Sequence, residues 1–243
     1  MKAIILAAGI ASRLRPLTNN SPKCLLEIGE KNLLQRTINA LIANKINDII
    51  IVTGYLHEMI ETFVTQHYPN LQVEFIHNEK YESTNNIYSL WLTKKSVLNT
   101  DILLLDSDIL FDSEIIGCLL NSEYSTCLAL NKHDLGEEEI KVITDSHNRI
   151  EEISKTCSIQ KAVGESIGIE KMSNDFVRTL FSELDIMIQE KLQVNIFYEA
   201  AFENVIKQGA NMYAVDTTSF FSMELDTVED FQQAQKLIPA NLY

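Results

Sequence analysis

The sequence lacks any apolar run that could cross a lipid bilayer. Runs such as residues 49–52 and 102–105 are far shorter than the roughly 20 residues that a membrane-spanning helix needs. The apolar stretch near the N-terminus has no signal-peptide cleavage pattern and leads into a basic loop. We therefore expect a soluble, cytoplasmic protein without membrane insertion.

Basic residues are scarce as well. The chain has 20 Lys and Arg against 34 Asp and Glu, a formal net charge of −14. A protein that binds nucleic acid without sequence preference needs a broad basic face, so nucleic acid is not an expected partner. Against this acidic background, Arg13, Arg15 and Lys23 stand out as a local basic cluster.

The few cysteines are not arranged for disulfides or metal binding. The chain has four, Cys24, Cys118, Cys127 and Cys157, and no pair has the CxxC spacing of zinc or redox sites. A chain of this size does not depend on disulfides for stability. The sequence therefore predicts four free thiols.

Short apolar segments alternate with segments of helical periodicity through the first half of the chain. Strands are predicted at residues 2–8, 48–52 and 71–77, with amphipathic helices at 33–42 and 57–67. This alternation is typical of an α/β fold. We predict a Rossmann-like doubly wound mixed, mostly parallel sheet in a single domain, residues 1–243, with a small β-rich insertion at about residues 125–160.

The first strand leads into a loop that is suited to binding phosphate. The apolar run ends at Gly9, and Arg13, Arg15 and Lys23 follow with few acids between them. Backbone N–H groups and cations at such a loop are what phosphate groups bind. A core strand followed by an ordinary solvated turn would give the same local pattern, so this stretch alone leaves both interpretations open.

Acidic residues follow a later buried strand. Residues 101–111 read DILLLDSDILF, so Asp106 and Asp108 come at the end of four apolar residues. Ligands of open α/β sheets bind beyond the carboxyl ends of the strands. The spacing of two places both side chains on one face if the chain stays extended, although Asp106 could instead end the strand or cap a turn.

A third acidic segment, Glu224-Leu225-Asp226, lies near the end of the chain. Two carboxylates from distant segments can share a Mg²⁺ ion that also binds substrate phosphates. Such a site serves phosphoryl or nucleotidyl transfer, in which the protein positions groups and neutralises charge. Asp226 is also predicted to cap a last helix.

The same segments resemble a known family. The pattern LAAG-x-x-S-R-L-x-P-L-T-x-x-x-P-K is filled by residues 6–23 and closely resembles the signature of the sugar-1-phosphate nucleotidyltransferase superfamily. The resemblance continues through Asp106 and Asp108 to Glu224, Asp226 and Asp230, so it covers nearly the whole chain. It favours the phosphate-binding interpretation of the loop.

Within that superfamily the chain is most similar to the small phosphocholine-type cytidylyltransferases. The chain is short, and residues 85–90, Asn-Asn-Ile-Tyr-Ser-Leu, resemble an element of that group. Weaker similarities are residues 164–168 and 198–201. The implied reaction transfers CMP from CTP to a small phosphorylated acceptor, phosphocholine as the first choice, and releases pyrophosphate.

The resemblance also implies residue roles. Arg13 would neutralise the β- and γ-phosphates, and Lys23 would contact the α-phosphate and the incoming phosphate. Asp108 and Asp226 would bind Mg²⁺, with Asp106 and Glu224 as further candidates. The base and ribose are assigned to Leu6, Ala8, Gly9, Asn85, Asn86 and Ser89, and the acceptor to Glu165, Tyr198 and Glu199.

One position departs from the family pattern. The loop usually has a second glycine where this chain has Ala11, and alanine tolerates a positive φ poorly. Either Ala11 is extended or triphosphate binding is altered. The alternative functions are a sugar-1-phosphate nucleotidyltransferase that makes a nucleotide sugar and, more remotely, a non-catalytic nucleotide-binding module.

Overall fold

A nine-stranded mixed sheet forms the centre of the computed structural model, which describes residues 1–240 and 242. The path through the sheet is β10-β9-β11-β6-β1-β4-β5, with β8 pairing to β11 and β12 pairing to β8. The strands are β1 Lys2–Ala7, β2 Glu27–Ile28, β3 Lys31–Asn32, β4 Asp48–Thr53, β5 Gln72–His77, β6 Ile102–Asp106, β7 Ile109–Phe111, β8 Cys127–Asn131, β9 Lys141–Thr144, β10 Ile150–Ser154, β11 Gly164–Met172, β12 Tyr213–Asp216 and β13 Ser222–Glu224.

Helices cover both faces of this sheet, as predicted. A π-helical turn, Ile186–Glu190, continues α6. The helices are α1 Leu33–Ala43, α2 His57–His67, α3 Asn86–Leu92, α4 Lys94–Val97, α5 Glu114–Asn121, α6 Asn174–Asp185, α7 Glu199–Lys207 and α8 Val228–Leu237. None of the helices within the described residues has both the length and the apolar character to cross a membrane.

Strands β6, β1, β4 and β5 form the parallel half of the sheet. Successive side chains of a strand point to opposite faces, and both faces are buried here. Ile4 and Leu6 of β1 pack in one core cluster, whereas Ile5 packs in the other. A strand needs a continuous apolar run when both faces of its sheet are covered. The uninterrupted apolar runs of these strands therefore account for their position in the centre of the sheet.

The other half of the sheet is largely antiparallel. β11 runs antiparallel to β6, β8 and β9. The segment predicted as β-rich, residues 125–160, supplies β8, β9 and β10, and all three strands pair into the main sheet. The fold-class prediction is confirmed, and the second half of the chain widens the same sheet.

Two pairings position the site. β1 and β6 are parallel neighbours, with Leu6 opposite Asp106, so the loops that follow both strands lie at one edge. Beyond that edge β13 pairs with β7, with Glu224 opposite Ile109. The Leu225 N–H also donates to the Asp108 carbonyl oxygen at 3.0 Å, and the late acidic segment is thereby held beside the end of β6.

Candidate active site

A cavity of about 620 Å³ lies at the carboxyl ends of β1 and β6. Every site residue predicted from the sequence lines it except Tyr198, and Arg15 of the basic cluster lies outside its lining. The predicted residues that line it are Leu6, Ala8, Gly9, Arg13, Lys23, Asn85, Asn86, Ser89, Asp106, Asp108, Glu165, Glu199, Glu224 and Asp226.

The loop after β1 turns sharply at Ala11, which has φ 50° and ψ 52°. The carbonyl oxygen of Ala11 accepts hydrogen bonds from Thr18 Oγ1 at 2.9 Å and from the Leu14 N–H at 3.1 Å. Of the two alternatives for Ala11, the extended conformation is therefore wrong. The loop keeps the left-handed turn that glycine would adopt without strain.

Gly9 faces open space. A Cβ atom at this position would have no other atom within 4 Å, so protein packing does not require a glycine there. Because Gly9 lines the cavity, the missing side chain leaves room for another group to approach the backbone.

Lys23 lies between two carboxylates. Its Nζ donates hydrogen bonds of 2.8 Å to Asp108 Oδ2 and 2.8 Å to Asp226 Oδ1. Burial disfavours the ammonium form, but the two carboxylates outweigh burial and raise the pKa of Lys23 above its ordinary value. The structure therefore fixes a positive charge in the lining of the cavity.

Arg13 reaches the same acidic segment. Its Nη2 donates to Asp226 Oδ2 at 2.5 Å, and although burial raises the pKa of Asp226, Lys23 and Arg13 lower it overall. The predicted helix cap at Asp226 is wrong by one residue. Thr227 caps α8 in a reciprocal capping box with Asp230, which leaves both oxygens of Asp226 to the cavity.

Three carboxylates form a compact group. One oxygen each from Asp108, Glu224 and Asp226 lies within 4.8 Å of the others. Burial in the cleft and the charges of the other two carboxylates raise the pKa of Glu224 to about 8. Hard oxygen donors in such a group are the ligands that Mg²⁺ takes, so these residues fit a divalent cation.

Asp106 does not join that group. β6 ends at Asp106 and a turn follows at residues 107–108, so the chain does not stay extended between the two acids. Asp106 ends the strand, which is the alternative that the sequence left open. Asp106 Oδ2 instead accepts a hydrogen bond from the Tyr198 hydroxyl at 3.0 Å. Burial, together with nearby acidic charges, raises the pKa of Asp106 well above its ordinary value.

The segment assigned to the base and ribose is held by a buried amide. Asn78 is 1% exposed, and its Nδ2 donates to Thr84 Oγ1 and Ser89 Oγ, both at 3.1 Å. Asn85 caps α3 through a 2.8 Å hydrogen bond from the N–H of the next residue. The role of Asn78 was not apparent from the sequence, although its position directly after β5 is where an α/β fold places site residues.

Asn86, which belongs to the segment assigned to the base and ribose, contacts Tyr198, which is assigned to the acceptor. Its Oδ1 accepts a hydrogen bond from the Tyr198 N–H at 2.9 Å. The Tyr198 side chain is fully buried, with its ring centroid 5.1 Å from that of Phe202. The expected direct contact between the tyrosine side chain and an acceptor is therefore wrong, because the ring lies in the core behind the cavity wall.

The remaining predicted acceptor residues are acids with different surroundings. Glu165 Oε2 lies 2.8 Å from His133 Nε2. Glu199 is 5% exposed, and burial raises its pKa to about 7, with partial offsets from its own backbone N–H and from Lys155. Glu170, which the sequence did not suggest, is fully buried within hydrogen-bond reach of Tyr198.

A family model described as "Nucleotidyl transferase" matches residues 2–123. The chain is 28% identical over 238 residues to the choline-phosphate cytidylyltransferase of Streptococcus pneumoniae, covering 98% of both proteins. It is 26% identical over 254 residues to the CTP:phosphoglutamine cytidylyltransferase of Campylobacter jejuni, covering 96% of this chain and 98% of that protein.

The solved structures agree with these relatives. The CTP:phosphocholine cytidylyltransferase from Streptococcus pneumoniae superimposes with a TM-score of 0.81 at 26% identity, over 98% of this chain and 99% of that one. The fold agrees with the family match. The chain therefore belongs to the nucleotidyl transferase family.

Proposed function

We propose that the protein transfers CMP from CTP to a small phosphorylated acceptor, with phosphocholine as the first candidate, and releases pyrophosphate. The observation that carries this proposal is Lys23, fixed as a cation between Asp108 and Asp226 at the mouth of the loop after β1. The choice of CTP and of the acceptor is supported by the names of the two relatives.

The residues of the cavity suit an in-line displacement. Leu6, Ala8 and Gly9, with the segment of Asn85, Asn86 and Ser89, hold the base and ribose, and Arg13 pairs with the β- and γ-phosphates. Lys23 contacts the α-phosphate and the acceptor phosphate and stabilises the negative charge that develops between them.

An oxygen of the acceptor phosphate forms the new bond to the α-phosphorus. The bond from that phosphorus to the oxygen that bridges to the β-phosphate breaks, and pyrophosphate leaves with the electron pair. No covalent enzyme intermediate is required. Positioning and charge neutralisation supply the catalysis in reactions of this kind.

We further propose that Asp108, Glu224 and Asp226 hold Mg²⁺, with Asp106 excluded by its bond to Tyr198. Bound there, the ion would neutralise phosphate charge and orient the triphosphate. Both Lys23 and Arg13 pair with these carboxylates in the structure. The two basic side chains can therefore exchange their carboxylate partners for phosphates when substrates bind.

Pyrophosphate release over a matrix of substrates tests the proposal. CTP, UTP, GTP and dTTP are each combined with phosphocholine, phosphoethanolamine, an aminoalkylphosphonate and glucose 1-phosphate, with and without EDTA. We expect turnover with CTP and phosphocholine, phosphoethanolamine or the aminoalkylphosphonate, and its loss in EDTA. Turnover only with glucose 1-phosphate would favour a sugar nucleotidyltransferase, and no turnover of CTP with any of the other three acceptors would refute the proposal.

A further inference from the structure

Asp106 and Glu199 line the cavity, and Glu170 is fully buried next to the Tyr198 hydroxyl. These three acids are called the acid pocket. No lysine, arginine or histidine among the described residues forms an ion pair with any of them. The Tyr198 hydroxyl lies 3.0 Å from Asp106 Oδ2 and 3.3 Å from Glu170 Oε1. Burial raises the pKa values of all three acids, and the charge of Lys155 only partly offsets this effect at Glu199.

Glu199 is the member of the acid pocket that combines burial with access to the cavity. It is 5% exposed, it lines the cavity, and its Oε2 has no hydrogen-bond partner within the described part of the chain. A buried carboxylate oxygen without a donor is unfavourable. A ligand that brings a positive charge and an N–H group to this oxygen would remove that cost.

The cavity offers little to a cation without N–H groups. Quaternary ammonium groups are bound by the faces of aromatic rings, and the only aromatic residues lining the described cavity are Tyr81 and Phe197. Lys155 Nζ already lies 4.8 Å from the centre of the Phe197 ring. Tyr81 packs beside Gly54 near the end of β1, on the nucleotide side.

We infer that the preferred acceptor carries a protonated primary amine on a short chain, and that the Glu199 carboxylate accepts its N–H groups and so determines acceptor specificity. This inference rests on the proposed function and replaces its first candidate acceptor, phosphocholine, which has no N–H group, with an acceptor that carries a primary amine. The amine sits on one end of the acceptor and the attacking phosphate or phosphonate oxygen on the other. Three N–H donors and one positive charge match an unpaired carboxylate.

A methylation series of the acceptor tests the inference on the wild-type protein. Phosphoethanolamine, its N-methyl and N,N-dimethyl derivatives and phosphocholine all carry one positive charge but offer three, two, one and no N–H donors. We expect kcat/KM to fall along the series, by about tenfold or more from first to last, as the loss of a charge-assisted hydrogen bond implies. A parallel measurement uses 2-aminoethylphosphonate, which carries the same primary amine on a phosphonate. It shows whether the protein prefers a phosphonate or a phosphate ester.

The outcomes of this series distinguish failure of the inferred amine preference from failure of the proposed cytidylyl transfer. Equal or better conversion of phosphocholine than of phosphoethanolamine would overturn the inference while leaving cytidylyl transfer intact. Failure of the entire series and the phosphonate with CTP would instead refute the proposed function.

The variant Glu199→Gln tests whether Glu199 causes the preference for phosphoethanolamine over phosphocholine. It keeps the shape of the side chain and removes the charge, so we expect the ratio of kcat/KM for phosphoethanolamine over phosphocholine to fall towards one, through the acceptor KM. Glu203→Gln is the matched control, because Glu203 lies one turn further along α7, outside the cavity lining, and pairs with Lys207 at 3.1 Å. A wild-type ratio in Glu199→Gln would overturn the role of Glu199.

Discussion

The two ends of the cavity are built in opposite ways. At the nucleotide end, Arg13 and Lys23 come from one contiguous loop and are paired with carboxylates. At the acceptor end, Glu165, Glu170 and Glu199 come from β11 and the start of α7, and Glu199 retains an unpaired buried oxygen. The basic side chains of the first end are local in the sequence and paired, whereas the acids of the second end come from two elements, and one of them is incompletely satisfied.

This difference implies that one end of the cavity determines the type of reaction and the other end determines which acceptor is used. The family model matches residues 2–123, which contain the loop, Asp106 and Asp108 but not Glu165, Glu170 or Glu199. A shared reaction needs the same cations around the same phosphates. An acceptor pocket can be rebuilt from side chains of several strands and helices without disturbing them.

The largest expected effect comes from the nucleotide end. Lys23→Ala and Asp108→Ala should each lower kcat by about 10²–10³-fold, the loss typical for removal of a group that stabilises transition-state charge. Steady-state pyrophosphate release measures the change, and circular dichroism reports the fold. Lys132→Ala is the control, because Lys132 lies outside the cavity lining and pairs with exposed Asp216 at 2.7 Å. Wild-type rates in both site variants would refute the assignment.

The buried carboxyl group of Glu199 at the acceptor end should make the free energy of unfolding depend on pH. Folded Glu199 has a pKa of about 7 against an ordinary value of 4.5. Between these values the folded protein keeps a proton that the unfolded chain has lost, so this group lowers stability as pH rises from 4.5 to 7. The full difference corresponds to about 3 kcal/mol.

Urea unfolding at pH 5 and pH 8 measures this contribution. Relative to wild type, Glu199→Gln should be more stable at pH 8 than at pH 5, because glutamine cannot ionise, while Glu203→Gln should show no such change. An identical effect of Glu199→Gln at both pH values would contradict the burial of an ionisable carboxyl group there.

Gly9 tests whether open space at the nucleotide end is used for binding. Gly9→Ala should raise the KM for CTP by about tenfold through a methyl group placed where the ligand approaches, a cost of about 1.4 kcal/mol, and should leave the melting temperature unchanged. Gly117→Ala in α5, where a Cβ would make an ordinary 3.5 Å contact with Asn44, is the control. An unchanged KM would place the nucleotide elsewhere in the cavity.

The smallest effect is expected at Ala11. Glycine relieves about 1 kcal/mol of left-handed strain and costs roughly 0.5–1 kcal/mol in unfolded-chain entropy, so Ala11→Gly should change the free energy of unfolding little. Ala43→Gly at the end of α1 should instead lose about 1 kcal/mol, the cost of glycine in a helix. Equal losses in both variants, measured by urea unfolding, would contradict the strained turn.

The sequence predicted the sheet class and the placement of Arg13 and Lys23 at the cavity because both depend on local pattern. Uninterrupted apolar runs identify the buried parallel strands, and the loop signature lies within residues 6–23. The pairing of β7 with β13, which holds Glu224 and Asp226 beside Asp108, has no local signal. The sequence pattern could not show that Asp106 bonds to Tyr198, nor that Glu170 lies in the same cluster, since both depend on contacts between segments that are far apart in the chain.

The division between the two ends is tested most directly by measuring both Michaelis constants in two variants. With phosphoethanolamine as acceptor, Arg13→Ala should raise the KM for CTP about tenfold or more, as expected for a lost charge-assisted contact, and leave the acceptor KM near wild type. Glu199→Gln should raise the KM for phosphoethanolamine and leave the KM for CTP near wild type. Parallel shifts of the same constant in both variants would contradict a site with separate nucleotide and acceptor ends.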